Sequence, residues 1–210
     1  MSRVLIVGST GLVGGLALTR ALADARFAQV IAPTRRPLPL QHAKLDNPVV
    51  DFDALPASAA WWRVDAVVCG LGTTIRDAGS RPAFRRVDFD YVLAAATHAR
   101  EAGARSFALT SALGADARSG NFYLRTKGEA EDALRTLGYP SLTLVRPSMI
   151  GGERERRRPM EHVAARLMLA VEPLVPRRYR VVRAERIAQC LLDAAFAAEP
   201  GVRVVESERI

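Results

Sequence analysis

The chain has 210 residues, 49% of them hydrophobic and 25% charged, with a formal net charge of +8. That balance belongs to a globular domain and excludes a disordered or fibrous chain, and no apolar run approaches the length needed to span a bilayer. Only Lys44 and Lys127 among the 30 basic residues are lysine, and the arginines are scattered apart from concentrations at 35–36, 154–158 and 177–183, so the expected partner is an anionic small molecule and not nucleic acid.

Taken in chain order, the apolar run V-L-I-V at 4–7 is too short for a helix and predicts a strand buried on both faces. Gly8, Gly11 and Gly14 follow at a spacing of three, and a helix is expected over 11–25. Gly8 allows the sharp turn, Gly11 lets the backbone approach a pyrophosphate, and Gly14 lets the helix pack against the sheet. The unpaired N–H groups of that helix's first turn would face the anion. Further strands are predicted at 29–33, 48–52 and 66–69, the last running into G-L-G-T-T. Pro82 opens a long helix that Gly103 closes, with Phe84, Val87, Tyr91 and Val92 at helical spacing. A strand at 106–110, a helix over 121–137 and a strand at 142–145, running into Arg146-Pro147, complete the series. This alternation predicts an α/β fold, a doubly wound parallel sheet of the Rossmann type.

Beyond residue 150 the rhythm changes. A loop is expected at 153–159, helices at 160–171 and 184–198, and an edge strand at 202–205. That is too short for a second domain, so residues 1–210 are read as one NAD(P)-binding domain, with a core sheet in 1–150 and a small C-terminal cap over the carboxyl edge of the strands. Cys69 and Cys190 lack metal-ligand spacing and read as buried thiols, and no metal site is expected. Met-Ser-Arg leads into the first strand without a signal peptide, so a cytoplasmic address is expected.

Cofactor choice rests on the end of the second strand. NAD binders place an acid there to hold the ribose, whereas a 2′-phosphate needs a cation. The chain has Arg35 and Arg36 and no acid, which points to NADP(H). Asp51 and Phe52, closing the third predicted strand, lie where an adenine ring would be held, and Leu71, Gly72 and Thr73 where the backbone would pass the nicotinamide ribose. Tyr123 and Lys127 stand at i and i+4 of a predicted helix and share a face. An adjacent cation stabilises a phenolate, which suits Tyr123 to donate a proton to a carbonyl oxygen. Ser111, at the end of the fifth strand, is expected to hydrogen-bond the same oxygen.

This order of features resembles the short-chain dehydrogenases/reductases. The strings C-G-L-G-T-T, F-R-R-V-D-F-D-Y-V and G-N-F-Y-L-R-T-K-G-E-A-E are similar to the atypical branch typified by the Tat-interacting-protein oxidoreductases, over residues 4–159. The resemblance implies a doubly wound sheet, NADPH as cofactor and a tyrosine proton donor. It implies that Thr10, Gly11, Leu12 and Val13 form the pyrophosphate turn, that Arg35 and Arg36 meet the 2′-phosphate, and that Leu71 and Gly72 lie on the nicotinamide side. Ile150, in the turn after Pro147, and Arg158 are likewise implied to touch the cofactor. Two departures stand out: Leu12 replaces an acidic residue of the family's glycine turn, and the segment between Ser111 and Gly114 is one residue longer. The expected activity is hydride transfer between NADP(H) and a small carbonyl or alcohol. The alternative is a non-catalytic, NADPH-dependent interaction module, and the oligomeric state is open.

Overall fold

The structure is a computed structural model that describes residues 2–151 and 176–210. A seven-stranded, wholly parallel sheet forms its centre, in the order β3-β2-β1-β4-β5-β6-β9. These strands are β1 (Ser2–Val7), β2 (Phe27–Ile31), β3 (Leu45–Asp46), β4 (Ala66–Cys69), β5 (Ser106–Thr110), β6 (Ser141–Arg146) and β9 (Gly201–Glu206). A short separate ladder joins β7 (Ile150–Gly151) to β8 (Val182–Arg183). The doubly wound parallel sheet expected from the alternating pattern is therefore present.

Strand alternation divides the core into two layers. Val4 and Ile6 of β1 face one side with α1 (Leu12–Ala23) and α6 (Ala184–Ala197), while Leu5 and Val7 face the other, against α4 (Tyr91–Glu101) and Leu134 of α5 (Phe122–Thr136). Buried on both faces, Val4 to Val7 of β1 and the whole of β4 are apolar, the pattern that a parallel sheet covered by helices imposes. The order of strands reverses between β1 and β4, so the crevice for a ligand opens at their carboxyl ends.

Three expectations need correction in detail. The third strand lies at Leu45–Asp46 and not at 48–52, because Val30 and Ala32 already donate their N–H groups to the carbonyls of Lys44 and Asp46. Asn47 then interrupts the ladder: its amide donates to the Ala32 carbonyl and the Thr34 hydroxyl, leaving a lone bridge between Thr34 and Val49. The long helix from Pro82 is divided into α3 (Arg81–Arg85), a π-helical turn at Arg86–Asp90 and α4, with α2 (Ile75–Ala78) ahead of them. At the C-terminal end, α6 lies in the same layer as α1, held by Ile187, Ala188, Leu191, Leu192 and Ala195, and β9 extends the sheet parallel to β6. These two elements complete the sheet rather than cap it, since the apolar face of α6 is broad enough to cover strands. The expected loop at 153–159, with Arg158, and the helix at 160–171 lie outside the described residues. No helix among the described residues is long and apolar enough to cross a membrane.

The glycines at the crevice permit a close backbone approach. Gly8 has φ +86°, and a side-chain Cβ there would lie 2.7 Å from the Gly70 carbonyl carbon; a Cβ on Gly14 would lie 2.1 Å from the Gly8 oxygen. Gly14→Ala should therefore lower stability by about 1–3 kcal/mol, the usual cost of overpacking. Gly120→Ala, with nothing within 4 Å of the new carbon, should stay within about 0.5 kcal/mol of wild type. Urea unfolding of both variants checks this, and equal stabilities would contradict the packing described.

Candidate cofactor and active site

At the carboxyl end of β1 the chain turns through Gly8, Ser9 and the exposed Thr10 into α1, whose N-cap, Gly11, has no side chain to satisfy the first turn. Leu12 is half-buried and Val13 buried, and the first turn holds no acidic residue. The cradle therefore fits an anion: bare N–H groups at a helix start, no competing carboxylate, and glycine backbone where side chains would intrude.

Arg35 and Arg36 follow β2 and are exposed, and neither guanidinium is paired with a described residue. The turn that carries them is fastened underneath. Thr34 donates its hydroxyl to the Arg36 carbonyl at 2.7 Å, and Asn47 accepts the Leu38 N–H at 2.8 Å. Asp51 is exposed in a turn after β3, its carboxylate accepting the Asp53 N–H, and Phe52 is buried against Tyr91 at 5.5 Å between ring centres. The expected adenine-side pair thus lies beyond the third strand, not at its end.

On the other side of the crevice, α5 begins at Asn121, whose side chain accepts the N–H groups of Tyr123 and Leu124. This cap puts Tyr123 in the first turn and Lys127 one turn deeper. Gly128 sets the depth, because a Cβ there would lie 2.2 Å from the Ala117 nitrogen. Tyr123 packs its ring 5.6 Å from Phe84, and its hydroxyl makes no hydrogen bond to a described residue. Lys127 is buried, and its Nζ lies 2.7 Å from Oδ1 of Asp88, whose side chain is wholly enclosed. Oδ2 of the same carboxylate accepts the Thr73 N–H at 2.9 Å. Burial alone would push the ammonium toward losing its proton, but the Asp88 charge, with a smaller contribution from Tyr123, outweighs it and holds the Lys127 pKa above the ordinary lysine value. Burial pushes the nearby Cys69 thiol up to about 12, so it stays a neutral core group.

Ser111 is engaged by a different residue of α5. Its buried hydroxyl donates to Glu131, which also takes two hydrogen bonds from Arg146, at 2.9 and 2.6 Å, and lies 3.4 Å from Arg135. Glu131 is two turns beyond Tyr123 on α5, a separation of about 12 Å along the axis. Donating to Glu131, Ser111 has no hydrogen for a substrate oxygen. The structure therefore brings together Tyr123, Lys127, Leu71, Gly72 and Thr73, while the hydroxyl of Ser111 is committed to Glu131. Pro147 is buried, with its carbonyl accepting the Leu113 N–H, and Ile150 pairs with Val182 on the same carboxyl side of the sheet. Asp88 was missed from sequence. Its signal was there: an acid four residues after Phe84 and four before Val92, on the stripe that the helix buries.

The family model for NAD(P)H-binding matches residues 8–197. Protein HTATIP2 of Rattus norvegicus is 38% identical over 165 residues, covering 77% of this chain and 68% of the relative. The mitochondrial protein FMP52 of Lodderomyces elongisporus is 33% identical over 161 residues, covering 72% and 68%. Among solved structures, MoeE5 in complex with UDP-glucose and NAD aligns with a TM-score of 0.72 at 18% identity, over 96% of this chain and 74% of that one. The UDP-Glc/GlcNAc 4-epimerase of Campylobacter jejuni gives a TM-score of 0.69 at 12% identity, over 97% and 77%. The chain belongs to the NAD(P)H-binding family, in the atypical short-chain dehydrogenase/reductase branch represented by HTATIP2 and the FMP52 proteins.

Proposed function

We propose that the protein is an NADP(H)-dependent oxidoreductase that reduces, or reversibly oxidises, a small carbonyl or alcohol substrate. The observation that carries this reading is the buried ammonium of Lys127 one turn below Tyr123, whose hydroxyl has no partner among the described residues, beside a glycine cradle suited to a pyrophosphate. A pure binding module needs no proton donor at such a place.

When bound, NADPH would supply the hydride. Gly8, Thr10, Gly11, Leu12, Val13 and Gly14 would hold the pyrophosphate, Arg35 and Arg36 the 2′-phosphate, and Leu71, Gly72 and Thr73 the nicotinamide side, with Asp51, Pro147, Ile150 and Arg158 as the remaining proposed contacts. Tyr123 would give its phenolic proton to the substrate oxygen. Lys127 stays charged beside it, so negative charge left on the phenol oxygen meets a fixed cation. Ser111 enters this scheme as the hydroxyl that steadies Glu131, and not as a second donor.

One observation favours the interaction-module alternative: the hydroxyl of Ser111 is committed to Glu131, which leaves two of the three expected catalytic groups at the site. A wild-type protein that binds NADPH but reduces none of a panel of aldehydes, ketones and quinones would decide for it. A cytoplasmic location belongs to the proposal as well; the FMP52 relatives are named mitochondrial, and fluorescence imaging of the tagged chain in its own cell separates the two.

Charge-assisted hydrogen bonds are worth about 1.5–3 kcal/mol each, so NADPH should bind at least about tenfold more tightly than NADH, and Arg35→Glu should abolish that preference. Calorimetry with both cofactors checks it, and equal or tighter NADH binding to wild type would contradict it. Tyr123→Phe removes only the transferable proton and should cut turnover by about 10²–10⁴ while leaving NADPH affinity unchanged. Ser111→Ala should act mainly on stability, lowering it by about 1.5–3 kcal/mol because the buried Glu131 carboxylate loses one of its charge-assisted hydrogen bonds. Steady-state rates and thermal melts of the two variants test the division of roles; full activity in Tyr123→Phe would end the proposed mechanism.

A further inference from the structure

Asp88 is the least expected charge in the molecule. It sits in the π-helical turn at Arg86–Asp90, 1% exposed, on a stripe otherwise filled by Phe84, Val92, Ala95 and Ala99. A core built for stability alone does at least as well with apolar residues in place of a buried ion pair, and π-helical turns recur at functional sites. The carboxylate has two attachments: Oδ1 holds the Lys127 ammonium and Oδ2 holds the backbone N–H of Thr73, in the loop that leaves β4. One side chain thus ties α5 to the edge of the crevice.

Next to this pair lies Gly72. The residue is exposed, although the ion pair behind it is buried. A Cβ at position 72 would lie 3.5 Å from Oδ1 of Asp88 and 3.6 Å from Nζ of Lys127. The absent side chain leaves an opening through which the pair can meet a polar ligand group in the crevice.

We propose that Asp88 is a positioning residue that fixes the Lys127 ammonium and the Thr73 backbone at the nicotinamide-ribose end of the cofactor site, and that Gly72 is the opening through which they act. This rests on the reading that NADPH binds in this crevice. An ammonium and a carboxylate side by side offer both donor and acceptor, which matches the paired hydroxyls of a ribose.

The test uses two ligands: NADPH, and adenosine 2′,5′-bisphosphate, which carries the 2′-phosphate half and lacks the nicotinamide half. Asp88→Asn and Gly72→Ala should each weaken NADPH binding by about tenfold or more, a difference of about 1.4 kcal/mol. Both should leave the bisphosphate affinity within about twofold, a change of less than about half a kcal/mol. Cofactor KM should rise with them. Gly72→Ala keeps the experiment decisive if Asp88→Asn fails to fold, since its new methyl makes only ordinary van der Waals contacts and its φ is not positive. A merely structural role would lower melting temperature and weaken both ligands alike, and that result, or NADPH binding unchanged in both variants, would overturn the inference. A wild-type protein that binds the bisphosphate and NADPH equally would overturn it too, while one that binds neither would refute the cofactor reading itself.

Discussion

The arrangement at the carboxyl edge depends on how closely the backbone leaving β1 can approach the backbone leaving β4. Gly8, Gly14 and Gly70 meet at distances where a side chain on any of them would strike main-chain atoms, Gly70 lying with its virtual Cβ 3.1 Å from the Gly14 backbone. Only with that contact can α1 start directly over the crevice, with its first N–H groups bare. The Gly70 N–H donates to the Val7 carbonyl at 2.9 Å, which continues the β1–β4 ladder one step and delivers Leu71 and Gly72 to the rim. The switch point of the sheet is thus an outcome of packing, and the anion cradle is its direct consequence.

The second half of the site is held by charge. Lys127 and Asp88 are taken out of water together, and the desolvation of each is offset by the other at 2.7 Å and by the Thr73 N–H. Removing one partner from such a pair typically costs about 3–5 kcal/mol, because it strands the other charge. The pair therefore links the geometry of α5, the π-helical turn and the β4 loop. Farther along α5, Glu131 does comparable work against β6 and β9 through Arg146, itself bonded to Glu206, so the face of α5 that carries Tyr123 and Lys127 is anchored at both ends.

What could be read from sequence follows from the range of the interactions. The glycine turn and the i, i+4 pairing of Tyr123 with Lys127 are local and were legible, as was the alternation of apolar strands with helices. The third strand was misplaced because Pro48, Val49 and Val50 look like strand, whereas the actual register is set by Asn47 reaching back to Ala32 and Thr34 across the chain. Asp88 and the engagement of Ser111 by Glu131 depend on which residues of α5 meet which loops. That depth is set by Gly128 closing on Asp116 and Ala117, a contact with no local signature. The C-terminal helix carried its apolar stripe openly, but whether it covered the sheet or its edge was a matter of tertiary packing.

The central claim is that one crevice, between β1 and β4, holds a whole dinucleotide with its phosphates on α1 and its nicotinamide end against α5. A crystal structure of the chain with NADP⁺ tests this most directly. The account predicts the pyrophosphate over the N–H groups of Leu12 and Val13, the 2′-phosphate on Arg35 and Arg36, and the nicotinamide ribose within hydrogen-bond reach of Lys127 past Gly72. A dinucleotide lying outside the carboxyl ends of β1 and β4, or with its nicotinamide directed away from Tyr123, would contradict it.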